Sequence, residues 1–105
     1  MRAHRQIAAC TTDEAQDALL AKVRRARARG ETRKAMVALR EACMRDESAA
    51  ALWTIYGAML AKIGHEGEAR RALKHAIWLR HSAGDEPRER STRDLLDRLV
   101  LPTAA

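Results

Sequence analysis

Two glycines, Gly30 and Gly64, stand 34 residues apart, and the chain around one repeats the chain around the other. Shifting the sequence by that offset superposes Ala35 on Ala69, Leu39 on Leu73, Ala42 on Ala76 and Cys43 on Ile77. The same shift lays Ala15 on Ala49, Leu19 on Trp53 and Ala26 on Leu60. After each glycine the apolar residues recur at i, i+4, i+7 and i+8, the stripe of a helix with one buried face. Glycine takes the left-handed conformation that ends a helix without steric cost. Each copy therefore reads as helix, short turn, helix. No β-branched stretch with period two interrupts the pattern, and the apolar content is mainly Ala and Leu, so the expected class is all-α.

The second copy carries the sharper motif. Trp53-x-x-Tyr56-Gly57-x-x-Leu60 is followed by Ala69-x-x-x-Leu73. A period of ~34 residues with this order of large and small residues resembles the tetratricopeptide repeat family. Leu and Tyr are exchanged relative to the family pattern, and Leu stands for Phe. The first copy has no Trp and has Val23 at the Gly position, and the closing Pro is missing from both. The resemblance implies repeats over residues 16–49 and 50–83, as antiparallel hairpins stacked in a short right-handed α-solenoid of about five helices.

In chain order, residues 1–12 are ambiguous between a tail and a short helical turn. Thr11 with Glu14 has capping-box spacing, and Thr12 or Asp13 would also cap. The domain is expected over residues 13–101. Its first helix runs from Asp13 to Arg29 with Ala15, Leu19, Val23 and Ala26 inward, and its second from Thr32 to Arg45. Ser48 is the candidate cap for a third helix, Ala49 to Ile63, with Trp53, Tyr56, Gly57 and Leu60 inward. The fourth runs from Glu66 to His81. Gly84-Asp85-Glu86-Pro87 marks a boundary where Asp85 or Glu86 would cap and Pro87 suits a first turn. A fifth helix, residues 87–100, has Leu95, Leu96, Leu99 and Val100 on its apolar edge. It reads as a capping helix that covers the last repeat. Residues 102–105 form a tail.

Charge and cysteine content narrow the function. The net charge is +6, which suits nucleic acid, an acidic protein surface or anionic lipid, or is simply spread over a solvated face. Cys10 and Cys43 make no disulfide framework, and no apolar run suits a signal peptide or a membrane span. A reducing cytoplasm is the expected setting. His4, His65, His75 and His81 share no metal-ligand spacing, and no phosphate loop, nucleophile elbow or paired carboxylates appear. Neither catalysis nor a cofactor nor a bound metal is expected.

In the resembled family the leading helix of each repeat lines a concave groove. Carried over by position, that groove would comprise Asp17, Leu20, Arg24 and Arg27, then Thr54, Ala58, Ala61 and Lys62. Ala28 and Ala51 hold further groove positions, and Arg88 or Arg93 would extend the basic wall. Such a surface suits charge-assisted capture of an acidic or extended peptide of another protein. The expected function is thus a non-enzymatic adaptor or scaffold. An alternative is a dimerising regulatory or assembly domain. Met44 and Trp78 occupy equivalent outward positions and would form a self-association patch, or else pack under the fourth and fifth helices. The run from Lys22 to Arg29 is the argument for nucleic acid, weakened because no aromatics interleave with it to stack bases.

Overall fold

The first four helices of this chain each end at a glycine or at a polar turn, and these stops define the elements. A computed structural model describes residues 2–100, with side chains from 14 to 99. Five helices make up these residues: α1 (Arg2–Ala28), α2 (Thr32–Arg45), α3 (Ala50–Lys62), α4 (Glu66–Ser82) and α5 (Glu86–Val100). The fold is all-α, and successive helices form hairpins compatible with a helical repeat. The side chains of His4, Cys10, Thr11, Thr12, Asp13 and Val100, and the tail 102–105, lie outside the described residues. The backbone of α1 is helical from Arg2, so it takes in the stretch that the sequence leaves between tail and turn.

Three of the stops share one geometry. Gly30, Gly64 and Gly84 have φ of 75°, 88° and 72°. In each, the residue after the glycine donates its N–H five residues back: Glu31 to Ala26 at 2.8 Å, His65 to Leu60 at 2.9 Å and Asp85 to Arg80 at 2.9 Å. The glycine itself donates three residues back, to Arg27, Ala61 and His81. This paired arrangement satisfies carbonyls that a helix end otherwise leaves open.

The chain divides into two compact units, Met1–Ala42 and Cys43–Ala105. In the first, α1 buries Val23, and α2 buries Ala35 and Leu39. In the second, α4 is central and packs against both α3 and α5, while α3 and α5 barely meet. Its core holds Leu52, Tyr56, Met59 and Leu60 of α3 and Ala69, Ala72, Leu73, Ala76 and Ile77 of α4. Each fully buried Leu stabilises the fold by about 1.5–3 kcal/mol relative to exposure.

The α3 stripe differs from the expected one. Leu52 and Met59 are buried, whereas Trp53 is only half-buried. The α3 sequence is apolar around nearly its whole circumference, so periodicity alone does not select its inner face. Ser48 does not cap α3 either. Its hydroxyl donates to Asp46 Oδ1 at 2.7 Å, and the residue before the helix is Ala49, with no side-chain cap. Asp85 does cap α5, because its Oδ1 accepts from the Arg88 backbone N–H at 3.3 Å. Within α5, Thr92 is 1% exposed. Its hydroxyl donates to the Arg88 carbonyl at 2.7 Å and accepts from Arg80 Nη1 at 3.1 Å, which ties α5 to the end of α4.

Candidate functional site

The expected groove residues fall on two helices, one in each unit. On α1, Asp17, Leu20, Arg24 and Arg27 share one face, with Leu20 half-buried and the other three exposed. Among the described residues no ion pair engages Arg24 or Arg27. On α3, Thr54, Ala58, Ala61 and Lys62 share a face opposite the buried stripe. The first three are half-buried and Lys62 is exposed. Ala58 and Ala61 present only methyl groups there. Thr54 spends its hydroxyl hydrogen on the Ala50 carbonyl at 2.8 Å, so the oxygen remains only as an acceptor.

Arg88 and Arg93 are each engaged by a carboxylate near the start of α5. Arg88 Nη1 lies 3.0 Å from Asp85 Oδ2, and Arg93 Nη2 lies 2.8 Å from Glu89 Oε2. These bonds hold both carboxyls below their usual range. Arg88 is the main cause for Asp85, and Arg93, then His81, for Glu89. The two arginines are locally neutralised.

The positive charge of α1 splits between two faces. Arg24 and Arg27 lie together, while Lys22, Arg25 and Arg29 lie on nearly the opposite side at about 100° per residue. The latter three border a hollow of about 270 Å³ between α1 and α2, where Lys34 Nζ meets Glu31 Oε2 at 2.8 Å. A second hollow, about 620 Å³, opens in the other unit between the start of α3, the end of α4 and the start of α5. Arg80 borders it, and Arg80 Nε is buried without a hydrogen-bond partner among the described residues.

An aromatic cluster escaped the sequence reading. The Glu47 carbonyl accepts from Trp53 Nε1 at 3.0 Å and from His75 Nε2 at 2.8 Å, so His75 carries its hydrogen on Nε2. Trp53 stands edge-on to His75 at 4.6 Å and to Tyr56 at 6.3 Å. His75 stacks on Trp78 at 6.1 Å with an interplanar angle of 20°. Trp78 is nevertheless 62% exposed and Met44 57% exposed, so neither is packed under a neighbouring helix. The six-residue spacing from Glu47 to Trp53 carries no sequence signal, because the link runs through a backbone carbonyl.

No set of three or more His, Cys, Asp or Glu among the described residues stands ready to hold a metal ion. No helix among them is long and apolar enough to cross a membrane. No protein-family model, curated protein or solved structure matches the chain.

Proposed function

We propose that this chain is a non-enzymatic protein–protein interaction module of the tetratricopeptide type, which binds an acidic or extended peptide of another protein through the leading helix of a repeat, α1 in the first unit and α3 in the second, each face taken by itself. The observation that carries the reading is the recurrence of one stop geometry at Gly30 and Gly64, at the repeat period, with matching hydrogen bonds. Equivalent hairpins present equivalent leading helices. The exposure of Arg24, Arg27 and Lys62, and the small side chains at Ala58 and Ala61, further support it. Arginine is suited to the role because its planar fork bonds a carboxylate at two points.

The test is fluorescence anisotropy with a labelled oligoglutamate peptide that has a free C-terminal carboxylate. Arg24→Glu with Arg27→Glu reverses two charges on the exposed face of α1 and should weaken binding at least tenfold, from about 1.5–3 kcal/mol per charge-assisted bond. Helicity by circular dichroism should stay unchanged. Equal affinity of the double variant and the parent removes this surface from consideration.

A further inference from the structure

The outward stripe of α4 follows from its sequence at about 100° per residue. Gly67, Arg71, Lys74, Trp78 and Ser82 fall within one narrow sector, with His75 and His81 at its two margins. Arg71, Lys74 and Trp78 are all exposed. No carboxylate stands in that sector. The nearest on the helix, Glu68, lies to one side and faces His65 at 3.4 Å, and Glu89 of α5 is taken by His81 and Arg93.

Trp78 is also held in place. The His75 ring lies nearly parallel to the indole, offset at 6.1 Å between centroids, and His75 is fixed by the Glu47 carbonyl and by the edge of Trp53. The indole is 62% exposed, and Lys74 and Arg71, which no ion pair among the described residues engages, lie about 6 Å and 10 Å away along the helix axis. A flat, oriented aromatic surface next to fixed positive charge is what sequence-tolerant capture of unpaired bases requires. A base stacks on the ring while the flanking phosphates meet the cations.

We propose that this face of α4 binds single-stranded nucleic acid, with Trp78 as the stacking platform and Arg71 and Lys74 as phosphate contacts. Charge complementarity selects this occupant over a second copy of the chain. A symmetric dimer with its axis near Lys74 would bring the α4 cations against their own duplicates, and α4 itself places no carboxylate in that sector. The missing interleaved aromatic that weakens the α1 basic run as a nucleic-acid site is present here, on a different helix. The residues differ from those proposed for the peptide, so peptide binding and strand binding can fail independently.

The experiment uses the intact chain with fluorescein-labelled oligothymidine and oligouridine of about twelve nucleotides, within the usual site size. Binding at ~50 mM salt should weaken as salt rises. Trp78→Ala should reduce affinity between about fivefold and 150-fold, the range of one base–aromatic stack. Trp78→Phe should recover most of it. Arg71→Ala and Lys74→Ala should each lower the slope of log affinity against log salt by about 0.7. All three sites are on the surface, and unchanged helicity confirms that each variant is folded. The proposal is overturned if no binding occurs at ~50 mM salt, if Trp78→Ala binds as well as the parent, or if a duplex of equal length binds as tightly as the single strand. It is equally overturned if oligoglutamate shows the same dependence on Trp78, or if sedimentation reveals a dimer that Trp78→Ala dissolves.

Discussion

Gly57 has no room for a side chain. A Cβ built there would stand 2.8 Å from Leu73 Cγ and 3.3 Å from the Ala69 carbonyl oxygen. The glycine lets α3 and α4 approach closely at the middle of their contact. Gly57→Ala sets an overpacking cost of about 1–3 kcal/mol against a helix-propensity gain of about 0.5–1 kcal/mol. The net expectation is a loss of roughly 1 kcal/mol, seen as a fall in Tm of about 4 °C or more. A variant as stable as the parent would mean that Leu73 moves aside without cost. Cys43 supplies a second residue-scale test. It is fully buried, and burial pushes its thiol up to about 12. In a Cys10→Ser background, Cys43 should resist alkylation near pH 8 in the folded protein and react once urea unfolds it. Prompt labelling of the native chain would contradict that burial. Cys43 sits on a stripe that the sequence exposes directly, because a helix with one apolar face offers only one way to pack.

At the scale of the element, α2 and α4 were legible and α3 in part, since Tyr56, Gly57 and Leu60 are buried as expected but Trp53 is not. Ala35, Leu39 and Cys43 are buried in α2, and Ala69, Leu73, Ala76 and Ile77 in α4, as their periodicity implies. In α3 the apolar residues surround the helix, so burial of Leu52 and Met59 in place of Trp53 depends on what α4 presents to it. Buried Thr92 was hidden for another reason. Its polarity argues for the surface, and only the hydrogen bonds from Arg80 and to the Arg88 carbonyl make the interior tolerable. Thr92→Val keeps the shape and removes the acceptor, and should cost about 1–3 kcal/mol because Arg80 is left short of a partner. Urea unfolding measures the loss, and an unchanged midpoint would exclude the role. The start of α5 also carries a pH dependence. The Asp85 and Glu89 carboxyls lie below their ordinary values because Arg88 and Arg93 bond them. Stability from such groups is full above the ordinary carboxylate range near pH 4 and is lost as pH falls through the lower folded values. Asp85→Asn with Glu89→Gln should flatten the acid limb of a stability–pH curve and leave its neutral part shallow. An acid limb of unchanged steepness would assign it to other carboxylates.

For the whole molecule, α5 decides how the second unit ends. It covers a flank of α4 and supplies the only described partners of the Arg80 guanidinium. A chain stopped at Ala83 should lose more helicity than the 15 residues of α5 account for, because α4 would then expose apolar surface that α5 now covers. Circular dichroism on the two lengths reads this directly, and a strictly proportional loss would make α5 dispensable. The existence, order and approximate limits of α2 to α5 were set by the sequence alone, since helix periodicity and left-handed glycines act within a few residues of chain. That Leu52 and Met59 turn inward in place of Trp53, that Thr92 is buried, and that Trp78 remains outside were decided only by tertiary structure. Each depends on a carbonyl, a ring or a guanidinium brought close by folding from another part of the chain, and local patterning holds no record of such partners.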